Sequence, residues 1–268
     1  MSAQRQILYL SHGGGPLPLL GDPGHSELVE QLQRITTDVI QRPSVILVIS
    51  AHWEEAEPTI GAVAPTDLIY DYSGFPAESY EITYPAQGAP QLAQKLATAL
   101  QQAGISAHHN AQRGFDHGVF VPLKLMYPDA DIPVLQLSLV SSLDAELHLR
   151  IGQALQALEH DNLLIVGSGF SFHNMRAFFS PDNPEQNAQS QAFEDWLKAT
   201  LCDANLNEAQ RYQRLAQWQQ APHARFCHPR EEHLLPLHVC YGAAGRASDL
   251  YQPAQVLGKT AGLFYWRD

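Results

Sequence analysis

Several protein classes are set aside by what this chain has little of. Three of its 268 residues are cysteine (Cys202, Cys227, Cys240), an odd number with no C-x-x-C pair, which argues against a disulfide framework. Positive charge is scarce: Lys and Arg number 16 against 28 Asp and Glu, a net charge of −12. A chain this acidic has no phosphate-neutralising footprint, so neither nucleic acid nor an anionic membrane surface is an expected partner. No apolar run approaches the length of a bilayer span, and Ile7 to Leu10 is too short for a signal-peptide core, which points to a cytoplasmic protein. Sharp motifs are missing too. There is no G-x-S-x-G elbow and no G-x-G-x-x-G. Gly258-Lys259-Thr260 echoes the end of a phosphate-binding loop, but Pro253 stands where glycine is required and no strand is expected to lead in.

What is present describes a globular α/β chain. Hydrophobic residues make up 45% and charged residues 16%, enough to bury a sizeable core and too apolar for intrinsic disorder. Ile7 to Leu10 reads as a first strand. Ser44 to Ser50 and Leu163 to Gly167 are apolar runs without polar alternation, the pattern of strands buried on both faces, and Pro133 to Val140 reads as another. Helical periodicity appears over Ser26 to Ile40, with Ser26 as N-cap, and over Leu92 to Gln102, stopped by Gly104. Further helices are expected at Pro122 to Tyr127, 144–158, 189–201 and 231–244. Tyr70 to Gly88 is irregular, a wall or lid over a site or simply an ordered loop. Asn174 to Gln189 and Asp203 to Pro229 read as surface excursions. No repeat or low-complexity linker divides the chain. The expectation is one domain, 1–268, with a central mostly parallel or mixed sheet and helices on both faces.

Histidine is the abundant residue, 13 in all. In open α/β sheets ligands bind beyond the carboxyl ends of the strands. His12 follows the first strand in a glycine-rich turn, His52 lies two residues beyond Ser50, and His173 follows the 163–167 strand. His117 sits just ahead of a short helix, and His233 opens a late one. Any one of these alone has a structural explanation. Several together imply a shared partner, because burying many imidazoles is costly unless each is satisfied, and a metal ion satisfies several at once. Imidazole suits Zn, Fe, Cu and Ni. The spacing is not a compact zinc motif. His25, His108, His109, His148 and His160 are expected to be solvated, His223 and His228 to reach a pocket only if their loop folds inward, and His238 to be core or supporting.

Read together, Ser11-His12-Gly13-Gly14-Gly15-Pro16, Ser50-Ala51-His52-Trp53, Tyr70-Asp71-Tyr72-Ser73-Gly74-Phe75-Pro76 through Tyr84-Pro85-Ala86, Phe115-Asp116-His117-Gly118, Gly167-Ser168-Gly169-Phe170-Ser171-Phe172-His173-Asn174 and Glu232-His233-Leu234-Leu235-Pro236-Leu237 occur in order. This set resembles the DODA-type extradiol ring-cleavage dioxygenases, the DOPA 4,5-dioxygenase-like branch of the class III superfamily, from His12 to about Tyr265. The resemblance implies a single α/β domain with a mononuclear site that uses Fe(II) for activity and can hold Zn(II) in the same ligands. It implies His12, His52 and His233 as metal ligands, with Glu232 competing for the third place because a glutamate fills it elsewhere in the superfamily. It implies His117 and His173 as an acid/base pair. A small single-ring catechol such as DOPA or a related catecholic acid, together with O2, is then the expected substrate pair. His173 would chiefly deprotonate the diol and His117 deliver the later proton, work that suits a group with a pKa near ~6.5. Asp116 is expected to orient a neighbouring ring or cap the following helix. A zinc hydrolase and a non-catalytic protein of the same fold are the alternatives, and monomer and homodimer both remain open.

Overall fold

The order of strands in the sheet explains why residues far apart in sequence meet. The protein, described here from a computed structural model over residues 5–61, 67–178 and 183–267, carries a central parallel group of four strands: β1 (Arg5–Ser11), β2 (Val45–Glu55), β5 (Val134–Val140) and β6 (Leu163–Gly169). Two short strands, β3 (Thr59–Ile60) and β4 (His108–His109), extend one edge. A hairpin, β7 (Leu250–Val256) and β8 (Lys259–Arg267), extends the other. The order is β4-β3-β5-β2-β6-β1-β8-β7, with β8 antiparallel to β1. β6 lies between β1 and β2 in matched register, Ile7 and Leu47 both opposite Ile165. The carboxyl ends of β1, β2 and β6 therefore lie side by side, and the segments that carry His12, His52 and His173 leave the sheet together.

The central strands are buried over Gln6–Ser11, Val45–Ala51, Val134–Val140 and Leu163–Gly169, as their uninterrupted apolar runs require. Helices α1 (Ser26–Arg34), α2 (Pro90–Gln102), α3 (His117–Met126), α4 (Ala145–Leu155), α6 (Pro184–Cys202) and α9 (Leu235–Ala244) pack around the sheet, with α5 (Met175–Phe178), α7 (Glu208–Ala216) and α8 (Ala224–Cys227) completing the set among the described residues. α4 is capped by Asp144, whose carboxylate accepts from the Leu147 N–H at 2.6 Å. Gly104 adopts φ 72° just past the end of α2, the left-handed stop that the sequence implies. None of these helices is long and apolar enough to cross a membrane.

Several expectations are corrected. α1 starts at Ser26, so Ser26 is not its cap, and the helix runs on as a π turn through Ile35–Val39. α3 begins at His117 and carries Pro122 inside it; the proline ring sits in a segment buried from Val119 to Leu123. The 203–229 stretch is ordered by α7, whose Asn207–Gln210 capping box satisfies both exposed backbone donors. In 174–189, α5 and the start of α6 are helical, and residues 179–182 lie outside the described residues. A strand does precede Gly258-Lys259-Thr260, but the segment is the tip and return of an antiparallel hairpin, with no helix to receive a phosphate.

Candidate functional site

Strand β2 departs from regular pairing where it carries His52. Ile49 pairs with Leu137 and Glu54 with Leu139, so the four residues 50 to 53 oppose Ser138 alone. That excess bulges the strand and turns His52 toward the carboxyl end of β1. His12 follows β1, anchored by its N–H to the Gly169 carbonyl at 3.1 Å. His233 lies on the turn before α9 and not in the helix, and its carbonyl accepts from Phe170 N–H (3.0 Å) and Tyr9 Oη (3.1 Å). Two glycines allow the close approach. A Cβ on Gly169 would stand 2.1 Å from the His233 carbonyl oxygen, and one on Gly118 would stand 2.5 Å from Ser50 Oγ.

The three Nε2 atoms converge. His12 Nε2 is 3.1 Å and His233 Nε2 3.3 Å from His52 Nε2, and all three atoms lie within 4.8 Å of one another. Ligands of one ion with bonds of ~2.1 Å sit roughly 3.0–3.4 Å apart, so this spacing fits a shared cation. The other ring nitrogens point outward to oxygen. Ser168 Oγ donates to the Gly118 carbonyl, so toward His12 it must accept, and His12 Nδ1–H donates to it at 3.0 Å. His233 Nδ1 donates to Glu232 Oε1 at 2.9 Å, and His52 Nδ1 faces Asp71 Oδ2 at 3.4 Å. The hydrogen bonds of His12 and His233 place the ring proton on Nδ1 and leave the Nε2 lone pair facing inward, the state a metal needs, and the nearby Asp71 carboxylate favours the same tautomer in His52. Burial, then the charge of neighbouring imidazoles, drives His12 and His52 well below the ordinary value. Burial likewise lowers His233 to about 4. All three therefore remain neutral at pH 7.

Around this cluster stand the other two histidines. His117 Nδ1 donates to Asp71 Oδ1 at 2.8 Å, and its ring lies 3.9 Å from that of His52. The same Asp71 oxygen accepts the His117 backbone N–H at 3.0 Å, so Asp71 caps α3 from a distant loop. Burial pushes the Asp71 carboxyl up, but the hydrogen bonds and charge of His117 outweigh it and hold the group below its usual range. His173 stacks on His233 with centroids 3.4 Å apart, and its Nδ1 lies 3.1 Å from Glu232 Oε1. Glu232 thus serves two imidazoles through Nδ1, and those hydrogen bonds overcome burial to depress its carboxyl strongly. Its second oxygen lies 3.4 Å from Arg230, which also grips Glu54 with two 2.6 Å bonds. A cavity of about 420 Å³ opens onto all five histidines and onto Tyr72, Ser73 and Phe75 from the irregular 70–88 stretch.

Sequence reasoning gave no role to Asp71 or Ser168, the groups that set the imidazole tautomers. The one available signal was their position inside motifs quoted for their neighbours. Other readings are corrected. Asp116 does stand at the N-cap of α3, where its carbonyl accepts from Phe120 N–H at 3.0 Å, but its side chain is buried elsewhere: it accepts from Ser50 Oγ (2.6 Å) and pairs with Arg113 (3.1 Å), and burial raises its pKa. His25 and His148 are buried, not solvated. His25 meets Asp22 at 2.7 Å and accepts the Gly14 N–H at 2.9 Å, stiffening the glycine turn after His12. His148 accepts the Val140 N–H at 3.1 Å. His108 and His109 are exposed as expected, and His160 is half-buried. His228 is buried against the Ser171 carbonyl, and His238 is core, bonded to the Leu215 carbonyl.

Comparison with known proteins agrees with this geometry. The model of a family described as the catalytic LigB subunit of aromatic ring-opening dioxygenase matches residues 7–263. The chain belongs to this family. It is 42% identical over 277 residues to the dioxygenase tasH of Hapsidospora irregularis, covering 97% of this chain and 85% of that one. It is 39% identical to the 4,5-DOPA dioxygenase extradiol of Beta vulgaris (91% and 88% covered) and 33% identical to that of Escherichia coli K12 (90% and 86%). A crystal structure of an uncharacterized protein of Escherichia coli K12 superposes with a TM-score of 0.75 at 30% identity, covering 97% of this chain and 98% of that one. This LigB-family chain is accordingly a DODA-type extradiol ring-cleaving dioxygenase, an oxidoreductase that acts on a small aromatic substrate with O2. The family is metal-dependent, and the imidazole cluster is where this chain can hold a metal.

Proposed function

We propose that the enzyme is a non-haem Fe(II)-dependent extradiol dioxygenase that opens single-ring catechols, both atoms of O2 entering the product. DOPA, the compound in the names of several relatives, and related catecholic acids are the first substrates to try. His12, His52 and His233 hold the ion, and Zn(II) fits the same three nitrogens. The observation that carries this reading is the inward convergence of three Nε2 atoms, with Nδ1 of His12 and His233 hydrogen-bonded to oxygen and Nδ1 of His52 facing the Asp71 carboxylate. A redox-active ion held by these three neutral imidazoles would supply the electronic coupling between a diol and dioxygen.

The rest is work for the protein's own groups. Glu232 accepts the His173 Nδ1 proton, so His173 Nε2 is the nitrogen free to take a proton from the diol. Asp71 does the same for His117, leaving its Nε2 to hold and return a proton as the ring opens. The aromatic wall of Tyr72 and Phe75 keeps water from the ring, and the Tyr72 hydroxyl is tied to the Ser79 carbonyl at 2.6 Å. The three free thiols fit a reducing compartment such as the cytoplasm.

Reconstitution with Fe(II) under anaerobic conditions, then oxygen-electrode traces with DOPA, caffeate, protocatechuate and catechol, tests the proposal. A visible-absorbing ring-opened product with one O2 consumed per ring supports it. Full activity with Zn(II) in the absence of oxygen would instead mark a hydrolase.

A further inference from the structure

Large apolar side chains make up much of the cavity wall. Beyond the histidines, the Gly13–Gly15 turn, Tyr72 and Ser73, its described walls are Leu17, Phe75, Phe170, Met175, Phe178 and Leu257, and no Lys, Arg, Asp or Glu is among the described lining residues. The guanidiniums nearby are engaged elsewhere: Arg113 donates to the His52 carbonyl and to Asp116, and Arg230 is held by Glu54. Among the described residues three large hydrophobic side chains stand exposed, and two of them, Met175 (48%) and Leu257 (39%), line this cavity. A carboxylate or ammonium on the substrate ring would lose water against this wall and find no opposite charge there.

Leu257 adds an independent observation. Val256 pairs with Lys259, so Leu257 and Gly258 form a two-residue hairpin turn with φ of 50° and 78°. Asn, Asp or Gly is the favoured residue at the first of these positions, since a leucine Cβ crowds the backbone in the left-handed region. The Leu257 N–H donates to the Gly24 carbonyl at 3.0 Å, which fixes the tip beside the turn that follows His12. A large apolar side chain is thus held in an unfavourable backbone conformation, half in water, at the mouth of the catalytic cavity. The Leu257 side chain packs beside Gly24 and also faces the cavity, where an apolar ligand would cover what is left exposed.

We infer that the enzyme prefers catechols bearing a neutral apolar ring substituent, an alkyl or aryl group, over catechols bearing a carboxylate or amino acid, and that Leu257 is a specificity-determining residue for that group. The inference rests on the ring-opening reading above and departs from the catecholic acids named there.

The test compares kcat/KM of the Fe(II)-loaded enzyme for catechol, 4-methyl-, 4-ethyl- and 4-propylcatechol with that for 3-(3,4-dihydroxyphenyl)propionate and DOPA. The expected gain is about fourfold per methylene, the ~0.8 kcal/mol of a buried CH2. 4-Propylcatechol should exceed its carboxylate counterpart at least ~10-fold. Leu257→Asn, which suits the turn, should keep or raise Tm while cutting the propylcatechol-to-catechol ratio about fivefold. Equal or faster turnover of the carboxylates, or an unchanged ratio in Leu257→Asn, overturns the inference and leaves the ring-opening reading intact. Calorimetric binding of the same compounds to the Zn(II)-loaded enzyme separates the opposite case. An apolar preference in binding with no ring opening by the Fe(II) form upholds the selectivity and overturns the reaction.

Discussion

Replacing Glu232 with glutamine is the most informative single change, because one carboxylate oxygen serves two imidazoles with different proposed tasks. Oε1 lies 2.9 Å from His233 Nδ1 and 3.1 Å from His173 Nδ1. A hydrogen bond to a charged group is worth ~1.5–3 kcal/mol and a neutral one ~0.5–1.5, so each contact loses about 1 kcal/mol or slightly more in the amide. The first loss acts on a proposed ligand and should weaken Fe(II) binding about tenfold, the low end of what outer-sphere changes cost. The second acts on the ring proposed to accept the proton and should lower kcat about tenfold even at saturating Fe(II). Anaerobic metal titration and steady-state kinetics at saturating metal measure the two separately. Were Glu232 itself the third ligand, Glu232→Gln would abolish tight metal binding while His233→Ala left it intact. That pair of results would refute the reasoning.

Other consequences concern the scaffold and the metal. Glu194 is fully buried with Tyr251 Oη at 3.0 Å, and burial raises its pKa to about 7 from 4.5. An acid raised on folding is protonated more readily in the fold, so its contribution is greatest below pH 4.5 and is lost as pH rises through 7. Urea unfolding should show Glu194→Gln gaining about 2–3 kcal/mol on the wild type between pH 5 and pH 8; a constant difference would contradict the assignment. Gly169→Ala sets a methyl against the His233 carbonyl and should cost about 1–3 kcal/mol of stability, read as a lower Tm, together with reduced metal content at a fixed Fe(II) concentration. Chelation should abolish oxygen uptake, Fe(II) should restore it, and Zn(II) should fill the site without restoring it.

How much of this was legible in the sequence follows from the physics of each element. β2 and β6 declare themselves because strands buried on both faces have no polar alternation to obscure them. Their carboxyl ends, with that of β1, then locate His52, His173 and His12 without coordinates. The C-terminal hairpin was missed: Pro253 lies within β7, and the turn carries leucine where Asn or Gly would have announced it. Asp71 was missed because its role depends on a loop docking 46 residues upstream of His117, a relation no local period records. Glu232 and His233 are adjacent with similar apolar rows beyond, so helical spacing left their order open. Only the chain's path before α9 turns His233 Nε2 toward His52 and the Glu232 carboxylate toward Nδ1.

The central claim is that three imidazoles hold one ion and leave it open on the cavity side. Anomalous diffraction at the iron edge, from crystals loaded anaerobically with Fe(II), tests it most directly. The account predicts a single peak about 2.0–2.2 Å from Nε2 of His12, His52 and His233, with no protein ligand toward the cavity. A peak bonded to Glu232 or Asp71, or to fewer than all three of these nitrogens, would contradict it.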